Sequence, residues 1–377
     1  MNTTPSQKEL FMEKSPVYFT DFHATFTENL PQKLARLILA AGIEKINFKN
    51  KFTAIKIHFG EPGNLAYLRP NYSRVLVDIV KKNGGKPFLT DCNTLYAGRR
   101  KNAIEHLDSA YENGYNPFAT GCHTIIADGL KGTDEALIPI KGDFIKEAKI
   151  GRAIADADII LSMNHFKVHE LTGIGGAIKN VGMGSGSRAG KMDMHASGKP
   201  SVDANLCIAC GACVKNCAND GVAIKNKKAV MNLDKCVGCG RCIGVCAEDA
   251  MVGPFDSTNE DVNRKIAEYA LAVTNGKPNF HITLICDVSP FCDCHSENDR
   301  AIIADVGILA SFDPVALDVA CADLVNKQPP LPNSMLGELN PKGDYFTAIH
   351  PTTDWRTCID QAVKIGLGKR EYELIEI

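Results

Sequence analysis

The chain balances 42 Lys and Arg against 44 Asp and Glu over 377 residues, so it lacks the basic field by which nucleic-acid binders hold a polyanion. No apolar run approaches membrane-spanning length and the opening MNTTPSQKEL has no signal-peptide core, which predicts a cytoplasmic protein without a membrane partner. Fifteen cysteines in such a chain point to a reducing, anaerobic setting rather than a disulfide framework.

In chain order, Val17 to Thr20 suits a short strand, and apolar residues at helical spacing over Leu30 to Ala41 predict a helix that Gly42 stops. Phe52 to Phe59 alternates as a strand. Pro70 to Val80 returns to the helical period, Gly84 and Gly85 end it, and Pro87 to Leu89 forms the next strand, closing at Asp91. A further helix is expected over Ala97 to Glu112, and Ile154 to Met163 ends in the apolar strand Ile159-Ile160-Leu161. Beyond residue 254, Val262 to Val273 reads as helix, while Ile282 to Ile285 and Ile302 to Leu309 read as extended. Pro314 to Val325 is a helix opened by Asp313, a good cap with proline at the first position. Strands alternating with helices predict an α/β fold with a largely parallel sheet and flanking helices. Its parts span 1–197 and 255–377, interrupted at 198–254 by a small α+β, ferredoxin-like insertion.

That insertion holds the most specific signal. Cys207, Cys210, Cys213 and Cys217 read C-x2-C-x2-C-x3-C, and Cys236, Cys239, Cys242 and Cys246 repeat the pattern 29 positions later. Cysteines at every third residue of a loop turn three thiolates toward one point, as a cubane cluster needs, whereas zinc has no use for the third and fourth cysteine at these intervals. Gly211, Gly238 and Gly240 fall between the ligands, where a loop wrapping an anionic cluster needs unusual backbone angles. The stretch resembles the bacterial two-cluster ferredoxins, although Ala218 and Ala247 stand where that family usually has proline. The resemblance implies two 4Fe–4S clusters with crossed ligation: Cys207, Cys210, Cys213 and Cys246 on one, Cys236, Cys239, Cys242 and Cys217 on the other.

A second concentration of chemistry follows the strand ending near Met163. Asn164, His165, Lys167, His169 and Glu170 lead through glycines to Lys179, Asn180, Arg188, Lys191 and His195. Strand ends are where open α/β sheets bind ligands, so Lys167, His169, Lys179 and His195 are candidate catalytic groups. Lys56, His58, Arg99, Asn180 and Arg188 are candidate substrate contacts for an anion. The bland alternatives are a solvated connector, a core histidine at position 58 and helix-surface arginines at 99 and 100. The spacing of Gly186, Gly190 and Lys191, followed by Met192, does not fit a phosphate-binding P-loop, and no G-x-G-x-x-G occurs for a nicotinamide cofactor. Cys286, Cys292 and Cys294, with His295 beside them, form a possible third metal site for an additional ion, an extended Cys292-Asp-Cys294 segment presenting both sulfurs on one face.

The chain as a whole resembles the family catalogued as domain of unknown function 362, the uncharacterised iron–sulfur centre proteins. The resemblance rests on Lys167 and His169, on Gly176-Ala-Ile-Lys179-Asn180, on Cys292-Asp-Cys294 and on Leu309-Ala-Ser-Phe-Asp313-Pro314-Val-Ala-Leu-Asp318. It implies a split α/β domain carrying a ferredoxin insert, without a reaction to carry over. The expectation is an oxidoreductase in which two metal-binding iron–sulfur clusters transfer electrons to a strand-end site that takes a small anionic substrate or cofactor. The rivals are a non-catalytic electron carrier or adaptor that meets a redox partner protein, and a metal-handling protein. A bound flavin and the oligomeric state stay open.

Overall fold

The computed structural model describes residues 14–195, 199–254 and 256–377. At its centre are strands β1 (Ser15–Asp21), β2 (Phe52–Lys56), β3 (Lys86–Asp91), β4 (Thr124–Ile126), β5 (Ile159–His165), β6 (Asn279–Ile285), β7 (Gly307–Ser311) and β8 (Tyr372–Glu376). They form one sheet in the order β8-β1-β7-β6-β5-β2-β3-β4. β7 runs antiparallel to both neighbours, and every other pairing is parallel. The largely parallel sheet follows from the βαβ alternation, because a parallel return needs a crossover that a helix supplies.

The helices that cover the sheet are α1 (Leu30–Ala40), α2 (Pro70–Lys82), α3 (Ala103–Glu112), α4 (Ala177–Ser185), α5 (Arg188–His195), α6 (Asn259–Thr274), α7 (Pro314–Asn326) and α8 (Arg356–Lys364). All seven residues of β5 are buried, as a strand covered on both faces must be. Ile159, Leu161 and Met163 pack with Leu34, Leu37 and Leu76 of α1 and α2 on one face. Ile160 points the other way, into a core shared with Val181 of α4, Ile266 of α6, Val315 of α7 and Ile359 of α8. Asp313 caps α7 by accepting from the Val315 and Ala316 amides, with proline at the first position.

Three expectations move. α3 starts at Ala103, capped by Asn102, rather than at Ala97, because Gly98 takes φ +148° and Arg100 turns inward onto Glu61. β2 ends at Lys56, and residues 57–59 continue without strand pairing. The extended stretch from Ile302 reduces to a bridge at Ile303 before β7. Features not anticipated include β4, α8, the helices α4 and α5 in the glycine-rich block, β8, whose exposed pattern hides it, and a hairpin of Glu135–Pro139 with Glu147–Gly151.

The cysteine-rich segment lies between α5 and α6. Ser201–Val202 pairs with Met251–Val252 at its base, and Val222–Lys225 pairs with Lys228–Met231. Its small core of Val222, Ala229, Ile243 and Met251 is completed by Leu95 and Met192 from the main body. Lys101 Nζ ties it down, donating to the Cys246 carbonyl at 3.1 Å. Among the described residues no helix is long and apolar enough to cross a membrane.

Candidate functional site

Lys56 ends β2, Asp91 ends β3 and His165 ends β5, and these neighbouring carboxyl ends open into a cavity of about 640 Å³. Such a volume suits a small-molecule ligand. α4 contributes Lys179, Asn180 and Met183 from one face, and α5 contributes Lys191 and His195, four residues apart on one face. Gly175, Gly176 and Gly184 also line the space; a Cβ at Gly184 would meet Lys56 Nζ at 2.3 Å. Lys56, His58, Arg99, Lys167, His169, Lys179, Asn180 and His195 all line this cavity.

Most charges in the wall are matched. Lys56 Nζ sits 3.0 Å from Asp91 and donates to Asn180 Oδ1 at 2.7 Å. Burial pushes the Asp91 carboxyl up, but the Lys56 ammonium, with His106 and His58, outweighs it and holds the group below the carboxylate range. Asp293 accepts from Lys167 Nζ at 2.8 Å and faces His165 Nδ1 at 2.8 Å, and it too ends below the usual range, the opposing charges overcoming burial. Arg100, 1% exposed, donates to Glu61 Oε2 at 2.7 Å. Lys179 and Lys191 differ: neither pairs with a carboxylate among the described residues. Lys179 Nζ donates to Cys292 Sγ at 3.3 Å, and Lys191 Nζ donates to the Gly186 carbonyl at 2.6 Å. His195 is pushed down to about 3 by burial and by the charges of Lys179 and Lys191.

One candidate contact lies elsewhere, and two others are paired within the protein itself. Arg188 is buried outside the cavity, donating to the carbonyls of Thr94 at 3.0 Å, Lys131 at 3.2 Å and Lys101. A Cβ at Gly240 would meet its Cγ at 2.8 Å, so Arg188 is a brace against the second cysteine loop rather than a substrate contact. Arg99 reaches the cavity rim, but its guanidinium is paired with Glu112 at 2.5 and 2.7 Å. Asn180 is spent inside the wall, donating to Asn164 Oδ1 at 2.7 Å and to the Met163 carbonyl at 3.0 Å.

The third cysteine group divides. Cys286 is buried in the apolar layer with α1 and α2, and burial pushes its thiol up. It joins neither group of metal-type donors among the described residues: His169, Cys292 and Cys294 form one, and Glu170, Cys294 and His295 the other, the donor atoms of each within 4.8 Å of one another. Sequence spacing could not show that His169 and Glu170, more than a hundred residues earlier, complete these groups. Cys92 and Asp128 were also missed. Cys92 lines the cavity, and Asp128, raised to about 6 by burial, accepts from Asn93 at 2.8 Å.

In the cysteine-rich segment, Cys207, Cys210, Cys213 and Cys246 line a small cavity together. The Ala229 amide donates to Cys207 Sγ at 3.3 Å and the Gly221 amide to Cys217 Sγ at 3.1 Å. Gly221 packs so closely on Cys236 that a Cβ there would lie 3.1 Å from the Cys236 Cα, which sets Cys217 beside the second run. Gly211 and Gly240, equivalent in the two repeats, take φ of +78° and +64°, and Ala209 takes the same left-handed conformation as Gly238, at +58° and +70°.

The family model described as a domain of unknown function, DUF362, matches residues 53–323. The chain belongs to that family. A cysteine-rich DUF362 chain with these donor groups is compatible with an iron–sulfur protein. No curated protein matches it. Among solved structures it is similar to the lactate racemase apoprotein from Thermoanaerobacterium thermosaccharolyticum, at 12% identity and a TM-score of 0.39, over 83% of this chain and 57% of that one. It is similar also to a Thermotoga maritima structural-genomics target, at 13% identity and 0.40, over 78% and 58%. This DUF362 chain thus spans less than two thirds of either structure.

Proposed function

We propose that this DUF362 protein is an iron–sulfur oxidoreductase in which the cysteine-rich insertion feeds electrons to the strand-end cavity, where a small anion is held for reduction or oxidation. The observation that carries the reading is Leu95, a side chain that lines the cavity and also completes the core of the cysteine-rich segment. The cavity wall and the core of the cysteine-rich segment therefore share this side chain. The sulfur sets fit two clusters: Cys207, Cys210, Cys213 and Cys246 would hold one, and Cys236, Cys239, Cys242 and Cys217 the other. When bound, such clusters supply single electrons at a potential tuned by hydrogen bonds and exposure.

The chain's own residues bind and orient. Lys179 and Lys191, without carboxylate partners among the described residues, supply the positive field for a carboxylate or phosphate, Lys179 while also donating to Cys292 Sγ. Glu170 Oε2 is buried without a hydrogen-bond partner among the described residues, and a bond from His295 with the Lys179 charge holds the carboxyl low against burial, so it is an acceptor for a donor on the ligand. Lys167, held by Asp293, supports the wall rather than contributing free charge. Cys210 is exposed beside Leu206 and Ile208, at 48% and 65% exposure, a face suited to a redox partner protein delivering electrons.

The test is anaerobic. Reduced protein is mixed with inorganic phosphate and with a panel of small carboxylates, and binding and cluster reoxidation are followed together. Lys179→Ala is expected to weaken binding at least about tenfold while leaving cluster absorbance intact, the loss of a charge-assisted bond. Unchanged binding and turnover in Lys179→Ala and Lys191→Ala would reduce the cavity to a connector.

A further inference from the structure

Cys292 and Cys294 are not an extended pair. The His295 amide donates to the Cys292 carbonyl at 3.0 Å, closing a tight turn that brings both sulfurs and one nitrogen of His169 within 4.8 Å of one another. Cys292 is fully buried, and Cys294 lines the cavity.

Two features disfavour a metal ion between them. The Lys179 ammonium, 3.3 Å from Cys292 Sγ, already supplies the positive charge a thiolate needs and would repel a divalent ion. His169 Nδ1 accepts the Leu171 amide at 3.0 Å and the Thr172 amide at 3.2 Å. The neutral ring therefore carries its proton on Nε2, leaving no lone pair toward the sulfurs. Metal-bound histidines show the opposite pattern, donating their distal N–H to an acceptor.

We propose that Cys292 and Cys294 form a redox-active dithiol–disulfide couple that gathers single electrons into a pair beside the bound anion. The proposal rests on the electron-transfer reading above for its source of electrons. In the reductive direction the S–S bond breaks, two electrons from iron–sulfur donors go one to each sulfur, and one proton from solvent goes to Cys294. Disulfide, two electrons and one proton thus give one thiol and one thiolate. Cys292 is the thiolate: although burial opposes it, a bond from Cys294, the Lys179 charge and a hydrogen bond from His169 pull it well below the thiol range, while Cys294 moves up. Lys179 holds the thiolate, and His169 Nε2–H faces it as a hydrogen-bond donor.

The anaerobic full-length protein is equilibrated in glutathione buffers of graded potential, the thiols are trapped by alkylation, and the peptide containing both cysteines is weighed. The expected result is that the two alkylation sites appear and vanish together, the oxidised peptide lacking two hydrogens. Lys179→Met is expected to move the midpoint of the pH profile for Cys292 alkylation upward by at least about one unit, as loss of the cation beside the thiolate requires. Two cysteines that stay independently alkylable at every potential would overturn the couple. So would a metal ion beyond the cluster iron that disappears in a Cys292→Ser and Cys294→Ser variant. A second arm adds reduced methyl viologen to the disulfide form, in wild type and in Cys217→Ser. Restoration of both thiols in wild type alone supports the couple and its electron source. If the disulfide forms but is restored equally in both, the couple stands and the electron-transfer reading fails.

Discussion

Asp293 anchors His165 and Lys167, each at 2.8 Å, in a wall where all three side chains are at most 7% exposed. Removing a partner from a buried pair leaves uncompensated charge, so Asp293→Asn is expected to lower stability by about 3–5 kcal/mol, read from the midpoint of anaerobic urea unfolding. Asp318 behaves differently. It caps α4 by accepting from the Ala177 and Ile178 amides, and burial raises its carboxyl to about 7. A raised folded pKa means the folded state binds the proton more tightly. The contribution is complete below pH 4, shrinks as pH rises, and is lost by about pH 7, amounting to about 4 kcal/mol at 1.4 kcal/mol per unit. Asp318→Asn is expected to remove that slope from a plot of unfolding free energy against pH, and an unchanged slope would assign it to other groups. At this scale the sequence was partly readable. Residue type and position after a strand pointed to Lys56, Lys167, His169 and Lys179, because strand-end loops gather ligand contacts whatever the fold's details. It could not separate Arg188, turned onto backbone carbonyls, or Cys286, turned into the apolar layer, since both depend on packing by elements distant in sequence.

Among the elements, α4 and α6 cross so closely that a Cβ at Gly182 would lie 2.2 Å from the Ile266 carbonyl oxygen. Gly182→Ala is therefore expected to force the helices apart, lower stability by about 1–3 kcal/mol and shift Lys179 and Asn180 on the same helix. Thermal unfolding and anion binding measured on one preparation check both effects. The regular elements were legible because hydrophobic period and caps are local: Gly42, Pro70 and Asp313 each mark a boundary that the structure keeps. α3 was drawn too long because Ala97 to Asn102 has helical composition while Glu61 captures the Arg99 amide at 3.0 Å and the Arg100 guanidinium at 2.7 Å. β8 was invisible because it adds to β1 at the sheet edge, where a half-exposed strand carries little apolar alternation.

Across the whole molecule, the cysteine-rich segment is braced on the α/β body by Arg188, Lys101, Leu95 and Met192, so its position depends on the same wall that shapes the cavity. On the function proposed above, this segment holds two crossed clusters serving the cavity. The most direct test of that reading is iron and acid-labile sulfide per chain in anaerobically prepared wild type and Cys246→Ser. The expected wild-type content is about eight irons with matching sulfide, following from two four-iron sites. In Cys246→Ser the centre shared with Cys207, Cys210 and Cys213 is expected to be the one disturbed, although Cys246 belongs to the other run. A wild-type content near four irons, zinc in place of iron, or damage confined to the centre of Cys236, Cys239 and Cys242 would contradict it.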